Sequence, residues 1–329
     1  MKFKISQKNL NDFLVSNEGS FLQSFEWGEF QKSLGKEVLR VVIEKEKPLF
    51  FAQIIKEKIP FLGDIFYVPY GPIFEKNLFL EKKEKIFSFF LKEMKKIALK
   101  NKVIFLKIEP QKKLPKVSFE STFSIKRYQP QKTLILDLKM GEEKIFKNFH
   151  PKHRYNVRLS QKKGVKVKIF KKNDPFLKKA TSEFYFLLKK TSKRNKFKPY
   201  PEVYFQKFFN FLNGEFFLAE YQKRIIAGHL ILYFQKKAYY LHGAFDYGFR
   251  KLMAPHLLHW EGIRRAIKKG CEIYDFWGID EKKWKGLTRF KKGFGGKEVL
   301  YPQGVDFIFD KKRYFLYRCA KKTLTFFKE

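Results

Sequence analysis

"APHLLHWEGIRRAIKKGCEIYDFWGI", residues 254–279, decides the reading of the fold. Proline suits the first turn of a helix and glycine the position just past its end, so a helix is expected from Pro255 to Lys269, stopping at Gly270. "IYDFWGI" then returns as a strand. Upstream, "EFFLAEYQ", "RIIAGHLILYFQ" and "KAYYLHGAFD" read as antiparallel strands. The first half of the chain has the same rhythm. "EVLRVVIEKE", "PLFFAQIIKEKI" and "IFYVPYGPIF" are strands, broken near Pro48 and at Gly71-Pro72. A long helix from Phe79 to Lys100 follows, with Ile86, Phe89, Phe90, Met94 and Ile97 on one face, and "VIFLKIEP" is the strand after it.

Each half also opens on a helix. Ser20–Leu34 ends at Gly35, and a basic helix is expected over Glu142–Lys163. "KTLILDL" and "VKVKIF" are strands, and two further helices fall around Pro175–Arg194 and Pro201–Leu212. Two passes of helix, strands, helix and strand predict a duplicated α+β unit. No low-complexity linker separates the halves. The last stretch, "KKRYFLYRCAKKTLTFFK", is expected to be a helix packing back on the body. Its Tyr314, Phe315, Tyr317, Leu324 and Phe326, set among Lys and Arg, also fit a helix lying on a membrane surface.

The 329 residues carry 71 Lys and Arg against 33 Asp and Glu, a formal charge of +38. Such a surplus attracts polyanions: nucleic acid, an anionic membrane face or phosphorylated substrates. A codon bias toward Lys and Phe would account for part of such a surplus, but not for its uneven placement. Residues 147–198 hold eighteen Lys or Arg and only Asp174 and Glu183 as acids, the footprint of a polyanion site. Cys271 and Cys319 are far apart and in no metal-ligand spacing, which suits a reducing compartment. The first residues lack a signal-length apolar run, and no stretch approaches the roughly twenty apolar residues of a membrane span, so a cytoplasmic protein is expected.

The signatures GxxxxGK[ST], GxSxG and HExxH are absent. His150/His153 and His256/His259 are paired at i, i+3 without an obvious third ligand, so no metal is expected. Asp246, Asp275 and Asp280 stand near strand ends, where turn and cap roles outweigh acid–base chemistry. The strongest local signal is "RFKKGFGG", with Lys291 and Lys292 between Phe290 and Phe294, ahead of Gly295 and Gly296. Its glycines would let backbone N–H groups converge on an anion, a phosphate or a transient oxyanion.

Taken in order, "FLQSFEWGEFQKSLG", "YVPYGPI", "HPKHRYNVRLSQKKGV", "RNKF", "YPEVYF", "YYLHGAFD", the stretch 254–279 and "RFKKGFGG" resemble the FemABX family, the peptidoglycan interpeptide-bridge aminoacyltransferases, over nearly the whole chain. The resemblance implies two tandem GNAT-like (acyl-CoA N-acyltransferase-like) lobes, each a mixed sheet flanked by helices. They are expected at 1–140, joined by a tail 313–329, and at 141–312. Some family members carry a long helical arm in the second lobe. The roughly fifty residues between "YNVRLSQ" and "EFFLAEY" are too few for it.

The resemblance further implies transfer of an amino acid from aminoacyl-tRNA to the stem peptide of a peptidoglycan precursor, UDP-linked or lipid-linked, with no cofactor. A lipid-linked acceptor would bring the protein to the inner membrane face. Lys291 matches the family lysine that stabilises the oxyanion, with Lys292 its rival within the motif. Arg194 matches a position associated with precursor phosphates, Tyr240 an aromatic of the peptide channel, and Trp27 the helix tryptophan. Three residues depart from the family pattern: His242 and Phe245 in "YYLHGAFD", and Glu109 where Asp is common. An acetyl-CoA user would show an R/Q-x-x-G-x-G/A loop before Pro255, and "DYGFRKLMAP" has none. Two rivals remain: transfer to a different acceptor, and a non-catalytic tRNA-binding module.

Overall fold

The computed structural model describes residues 1–326, with side chains to residue 321. Leu324 and Phe326 therefore lie outside the residues whose side chains are described. The chain begins with β1 (Lys2–Ile5), α1 (Asn11–Ser16) and α2 (Phe25–Ser33). A meander follows: β2 (Glu37–Glu44), β3 (Pro48–Ile59), β4 (Gly63–Pro69) and the short β5 (Ile73–Phe74). Then come α3 (Leu80–Lys100), β6 (Val103–Glu109), β7 (Ser121–Phe123) and β8 (Lys132–Asp137). Next are α4 (Glu142–Asn148), α5 (Pro151–Lys162), β9 (Lys166–Lys171), α6 (Leu177–Asn195) and α7 (Glu202–Phe211). The second meander is β10 (Gly214–Tyr221), β11 (Arg224–Phe234) and β12 (Lys237–Phe245), followed by α8 (Ala254–Lys268) and β13 (Ile273–Gly278). The chain closes with α9 (Lys285–Lys292), β14 (Lys297–Leu300), β15 (Val305–Ile308) and α10 (Lys311–Phe326).

These elements form two compact units, Met1–Gln131 with the chain from Tyr301 onward, and Lys132–Leu300. The first sheet has the order β1-β2-β3-β4-β6-β15-β7, with β5 on β3; the second is β14-β8-β13-β12-β11-β10-β9. In each, an antiparallel meander is followed by a helical crossover to a strand parallel to its last long member: β4 to β6 through α3, and β12 to β13 through α8. Each parallel strand is then flanked by an antiparallel one from elsewhere in the chain, β15 on β6 and β8 on β13. That exchange puts the boundaries at 131/132 and 300/301, where the sequence suggested 140/141 and 312/313. Strand pairing sets the division: β8 pairs with β13 and β14 of the second sheet, and β15 with β6 and β7 of the first.

Apolar spacing explains the cores. One face of α3 buries Ile86, Phe87, Phe90, Leu91, Met94 and Ala98 against Val41, Phe50, Ala52 and Ile54 of the first sheet. In the second unit α8 buries Leu257, Leu258, Trp260, Ile263 and Ala266. Gly262 lets it lie close, because a Cβ there would stand 2.6 Å from Ile231 Cδ1. The single basic helix expected over Glu142–Lys163 is two helices. Pro151 disfavours helical backbone at His150, which instead caps α5 by accepting from the Lys152 N–H at 3.2 Å.

In the first unit, Tyr314 and Tyr317 of α10 pack on Ile65, Ile104 and Phe105. Beside them Lys107 and Asp306 form an ion pair of 2.8 Å with both side chains at 0% exposure. The Tyr314 hydroxyl donates to the same carboxylate at 2.9 Å, the Ser124 hydroxyl donates as well, and Lys107 donates to the Lys126 carbonyl at 3.2 Å.

Candidate active site

The site of the second unit is made where two parallel strands part. β12 and β13 pair at Lys237↔Ile273, Ala238↔Tyr274 and Tyr239↔Asp275 only, although β12 continues to Phe245 and β13 to Gly278. At the parting β13 turns on Trp277, whose φ of +60° lies in the left-handed region an aromatic residue rarely occupies. The buried Asp275 carboxylate holds that turn, accepting from the Trp277 N–H at 2.7 Å and from the Thr133 hydroxyl of β8. Burial pushes the Asp275 pKa up, opposed by these hydrogen bonds and by the Lys291 charge.

Lys291 comes back over this turn from α9. Its ammonium donates to the Gly278 carbonyl at 2.8 Å and lies 5.4 Å from the centre of the Tyr240 ring. The residue is 4% exposed. Among the described residues no carboxylate lies within ion-pair distance of it, which leaves two of its three N–H donors without a protein acceptor. Burial lowers its pKa from 10.5 to about 7, with the Asp275 charge acting in the opposite direction. Such a group can offer a cation to a developing oxyanion, or pass a proton near neutral pH.

Two buried histidines stand behind it. The rings of His229 and His259 lie 4.3 Å apart, and Tyr240 is 4.6 Å from the first and 4.5 Å from the second. His259 Nδ1 pairs with the Tyr274 hydroxyl at 3.3 Å, while His229 Nδ1 and His259 Nε2 are buried without a partner among the described residues. Burial first, and the Lys291 charge after it, lower the His229 pKa to about 3 and push that of His259 well down. Both imidazoles are therefore neutral at physiological pH. The signal for His229 in the sequence is a polar residue inside the apolar run "IIAGHLILYF", which no motif marks as functional.

The other histidines brace the end of α9. His153 Nε2 meets the Phe290 carbonyl at 2.9 Å, and the His150 N–H donates to the Gly293 carbonyl at 2.9 Å. His256 faces His153 with ring centres 4.7 Å apart and pairs with Asn156 at 3.1 Å. No group of three His, Cys, Asp or Glu placed to hold a metal occurs among the described residues.

The expectation that the glycine turn gathers amides around an anion is corrected here. Lys291 and Lys292 belong to the last turn of α9, and the amides after them close the helix end: Gly293 donates to Arg289, Phe294 to Lys291 and Gly295 to Lys292. A helix C-terminus presents carbonyls and the negative end of the dipole. The positive charge at the site is the Lys291 side chain itself.

The structure brings Lys291, Tyr240 and Phe290 together. Phe290 is half-buried and its ring packs on those of His153, His256 and His259. Lys292 turns outward to Glu281 at 2.7 Å and Glu298 at 2.5 Å. Arg194, exposed at the end of α6, stacks over Phe245 at 4.5 Å and Tyr247 at 5.2 Å. His242 packs among Tyr200, Tyr204 and Phe205, where burial takes its pKa down to about 4. Trp27 and Glu109 belong to the first unit. Trp27 is packed between Phe21 and Phe30, and its buried Nε1 has no partner among the described residues. The buried Glu109 carboxylate accepts from the Tyr67 hydroxyl at 2.8 Å and from the N–H groups of Tyr128 at 2.6 Å and Gln129 at 2.8 Å. Of the three aspartates, Asp246 pairs with Lys190 and caps Gly248, and Asp280 caps the turn at Lys282 and Lys283.

Comparison with known proteins yields a consistent set. The FemAB family model matches residues 5–124, 119–219 and 213–322. A lipid II:glycine glycyltransferase of Staphylococcus haemolyticus (strain JCSC1435) is 24% identical, covering 98% of this chain and 96% of the relative. One from Staphylococcus aureus (strain MRSA252) is 23% identical with the same coverage. The first alignment spans 417 positions against 329 residues here, so that relative carries insertions this chain lacks. Among solved structures, a crystal structure of FemX superposes with a TM-score of 0.78 at 20% identity, covering 96% of this chain and 99% of that one. A tandem GNAT protein from the clavulanic acid biosynthesis pathway superposes with a TM-score of 0.58 at 10% identity, covering 93% and 97%. Two tandem GNAT-like units are thus the fold of this chain.

Proposed function

Because this chain belongs to the FemAB family, we propose that it is an aminoacyltransferase that lengthens the stem peptide of a peptidoglycan precursor by an amino acid taken from aminoacyl-tRNA. The observation that carries the reading is Lys291, a buried ammonium whose hydrogen-bond partner is a backbone carbonyl. The donor ester is already activated, so the enzyme's work is alignment and charge stabilisation. The neutral acceptor amine attacks the ester carbonyl and the new C–N bond forms. Lys291 donates to the oxygen that becomes negative. As the intermediate collapses, the C–O bond to the ribose breaks and the departing oxygen takes up the proton that the amine loses. A lysine with its pKa near 7 can give that proton and recover the other.

The donor is supported by charge. Of the eighteen Lys and Arg between residues 147 and 198, sixteen are exposed, so the surplus faces solvent, where phosphates can reach it. The relatives are named for lipid II, which supports a lipid-linked acceptor over a UDP-linked one.

The test is incubation with a mixture of radiolabelled aminoacyl-tRNAs and each acceptor in turn, resolving products by mass. A precursor heavier by one amino-acid residue is expected, with kcat/KM lowered about 10²–10³-fold in Lys291→Met. Full rate in that variant would overturn the role of Lys291. Retention of tRNA without transfer to either acceptor would overturn the stem-peptide reading.

A further inference from the structure

We propose that the outer face of α10 and the tip of the β3–β4 hairpin together form a seat for an anionic membrane surface. The proposal rests on the lipid-linked form of the acceptor, since a seat of this kind would hold the enzyme where that substrate is.

α10 has two faces. Tyr314 and Tyr317 point into the first unit, buried. Phe315 at 66% and Leu316 at 52% exposure point out, and the exposed Cys319 and Ala320, one turn later, continue both rows. Solvent therefore meets an apolar stripe on a helix whose other side is already packed.

The hairpin tip lies beside it. Ile59 and Leu62, which flank the tip, pack on the same cluster as Tyr314 and Tyr317. The Arg313 guanidinium sits over Gly63, 3.1 Å from where a Cβ would be. Between Ile59 and Leu62, Pro60 and Phe61 are exposed, and the Phe61 ring is held wholly in solvent. An aromatic at a turn tip beside an apolar helix face is costly to leave in water, and it is the arrangement that inserts below lipid headgroups.

Charge selects the occupant. Lys58, Lys311 and Lys312 are exposed around these residues; of the neighbouring carboxylates Asp310 is paired with Arg313, Glu120 with Lys311 and Asp64 with Lys56, which leaves Lys58 and Lys312 to face outward. A second copy of the chain would bring another +38 to the same place, whereas an anionic leaflet attracts it. Exposed lysines bind headgroup phosphates while the apolar tip and stripe enter the acyl boundary.

The experiment is co-sedimentation of the full chain with vesicles of phosphatidylglycerol and phosphatidylcholine, and with phosphatidylcholine alone. The variants are Phe61→Ser/Phe315→Ser/Leu316→Ser and, as a control for exposed apolar side chains elsewhere in the unit, Phe79→Ser/Leu80→Ser. The parent and the control are expected to bind the anionic vesicles alike, with the triple variant about tenfold weaker at equal net charge. Absence of parent binding would overturn the proposal, as would equal binding by the triple variant. Loss of tRNA retention or of self-association in the triple variant, with vesicle binding intact, would reassign the face to RNA or to a second copy. Vesicle binding needs no substrate, so Lys291→Met is expected to bind as the parent does, and failure here leaves transfer to a UDP-linked acceptor untouched.

Discussion

Each unit buries a lysine close to its parallel strand pair, and the two lysines live differently. In the first unit β4 and β6 stay paired as far as Pro69↔Glu109, and Lys107 of β6 is met by Asp306, supplied by the flanking strand β15. In the second, β12 and β13 pair at three positions and separate. The flanking strand there is β8, which brings Thr133, and the one carboxylate of the turn, Asp275, is spent on Thr133 and the Trp277 N–H. Lys291 is left with the Gly278 carbonyl. One frame thus gives a neutralised seam that holds a unit together and an open seam with an uncompensated cation. A buried charge kept without a counter-ion is expensive, and such expense is ordinarily tolerated at functional sites.

The ion pair of the first unit is the sharper place to test the contrast between the two lysines. Lys107→Met leaves Asp306 buried and unpaired, and is expected to cost about 3–5 kcal/mol in chemical denaturation. Turnover per folded molecule should hardly change. A loss of turnover without a loss of stability would exchange the roles assigned to the two lysines.

Acidity offers a second route. Lys291 is charged below about pH 7 and loses its proton above it. Rate is therefore expected to fall about tenfold per pH unit on the alkaline side, a limb that disappears in Lys291→Arg, whose guanidinium stays charged. Stability should move the other way. The unfolded chain keeps this lysine protonated up to about its ordinary 10.5, so between about 7 and 10.5 the unfolded state binds more protons and stability rises with pH. Thermal melts of Lys291→Met should lack that rise, and a rise of equal size in the variant would place the depressed group elsewhere.

The brace beneath the site predicts a smaller effect. A Cβ on Gly293 would fall 2.1 Å from the His153 ring, so Gly293→Ala must displace the imidazole that meets the Phe290 carbonyl. About 1–3 kcal/mol of stability should go with it, and kcat should fall more than KM rises if the brace positions Lys291. Smallest of all is Lys292→Met, which removes two exposed ion pairs and should leave the rate within about twofold of the parent. A larger loss would give the anion to Lys292.

Much of the frame was legible because it depends on local pattern. Pro255 and Gly270 bracket α8, apolar spacing marks α3, and both meanders read as strands. Short elements held by distant partners were missed: β1, β7, β14 and β15 owe their pairing to strands far along the chain, and α9 has too few apolar residues to be seen. The site was half legible. Lys291, Tyr240 and Phe290 are marked by motif and stand together, whereas nothing local marks His229 and His259 as neighbours of the lysine, and Asp275 has the local pattern of a turn residue.

Local pattern suffices for the two repeated passes of strand, helix and strand, for the excess of positive charge and its concentration in the second unit, and for a lysine pair ahead of a glycine turn. Which lysine faces inward was decided by the tertiary structure. Successive residues of a helix are turned by about 100°, so two adjacent lysines cannot share a direction, and only the packing of α9 against β13 and α5 chooses between them. The same holds for the unfilled charge. No local pattern distinguishes Lys107 from Lys291. The difference is made by an aspartate almost two hundred residues away in the chain, and by the lack of its counterpart in the second sheet.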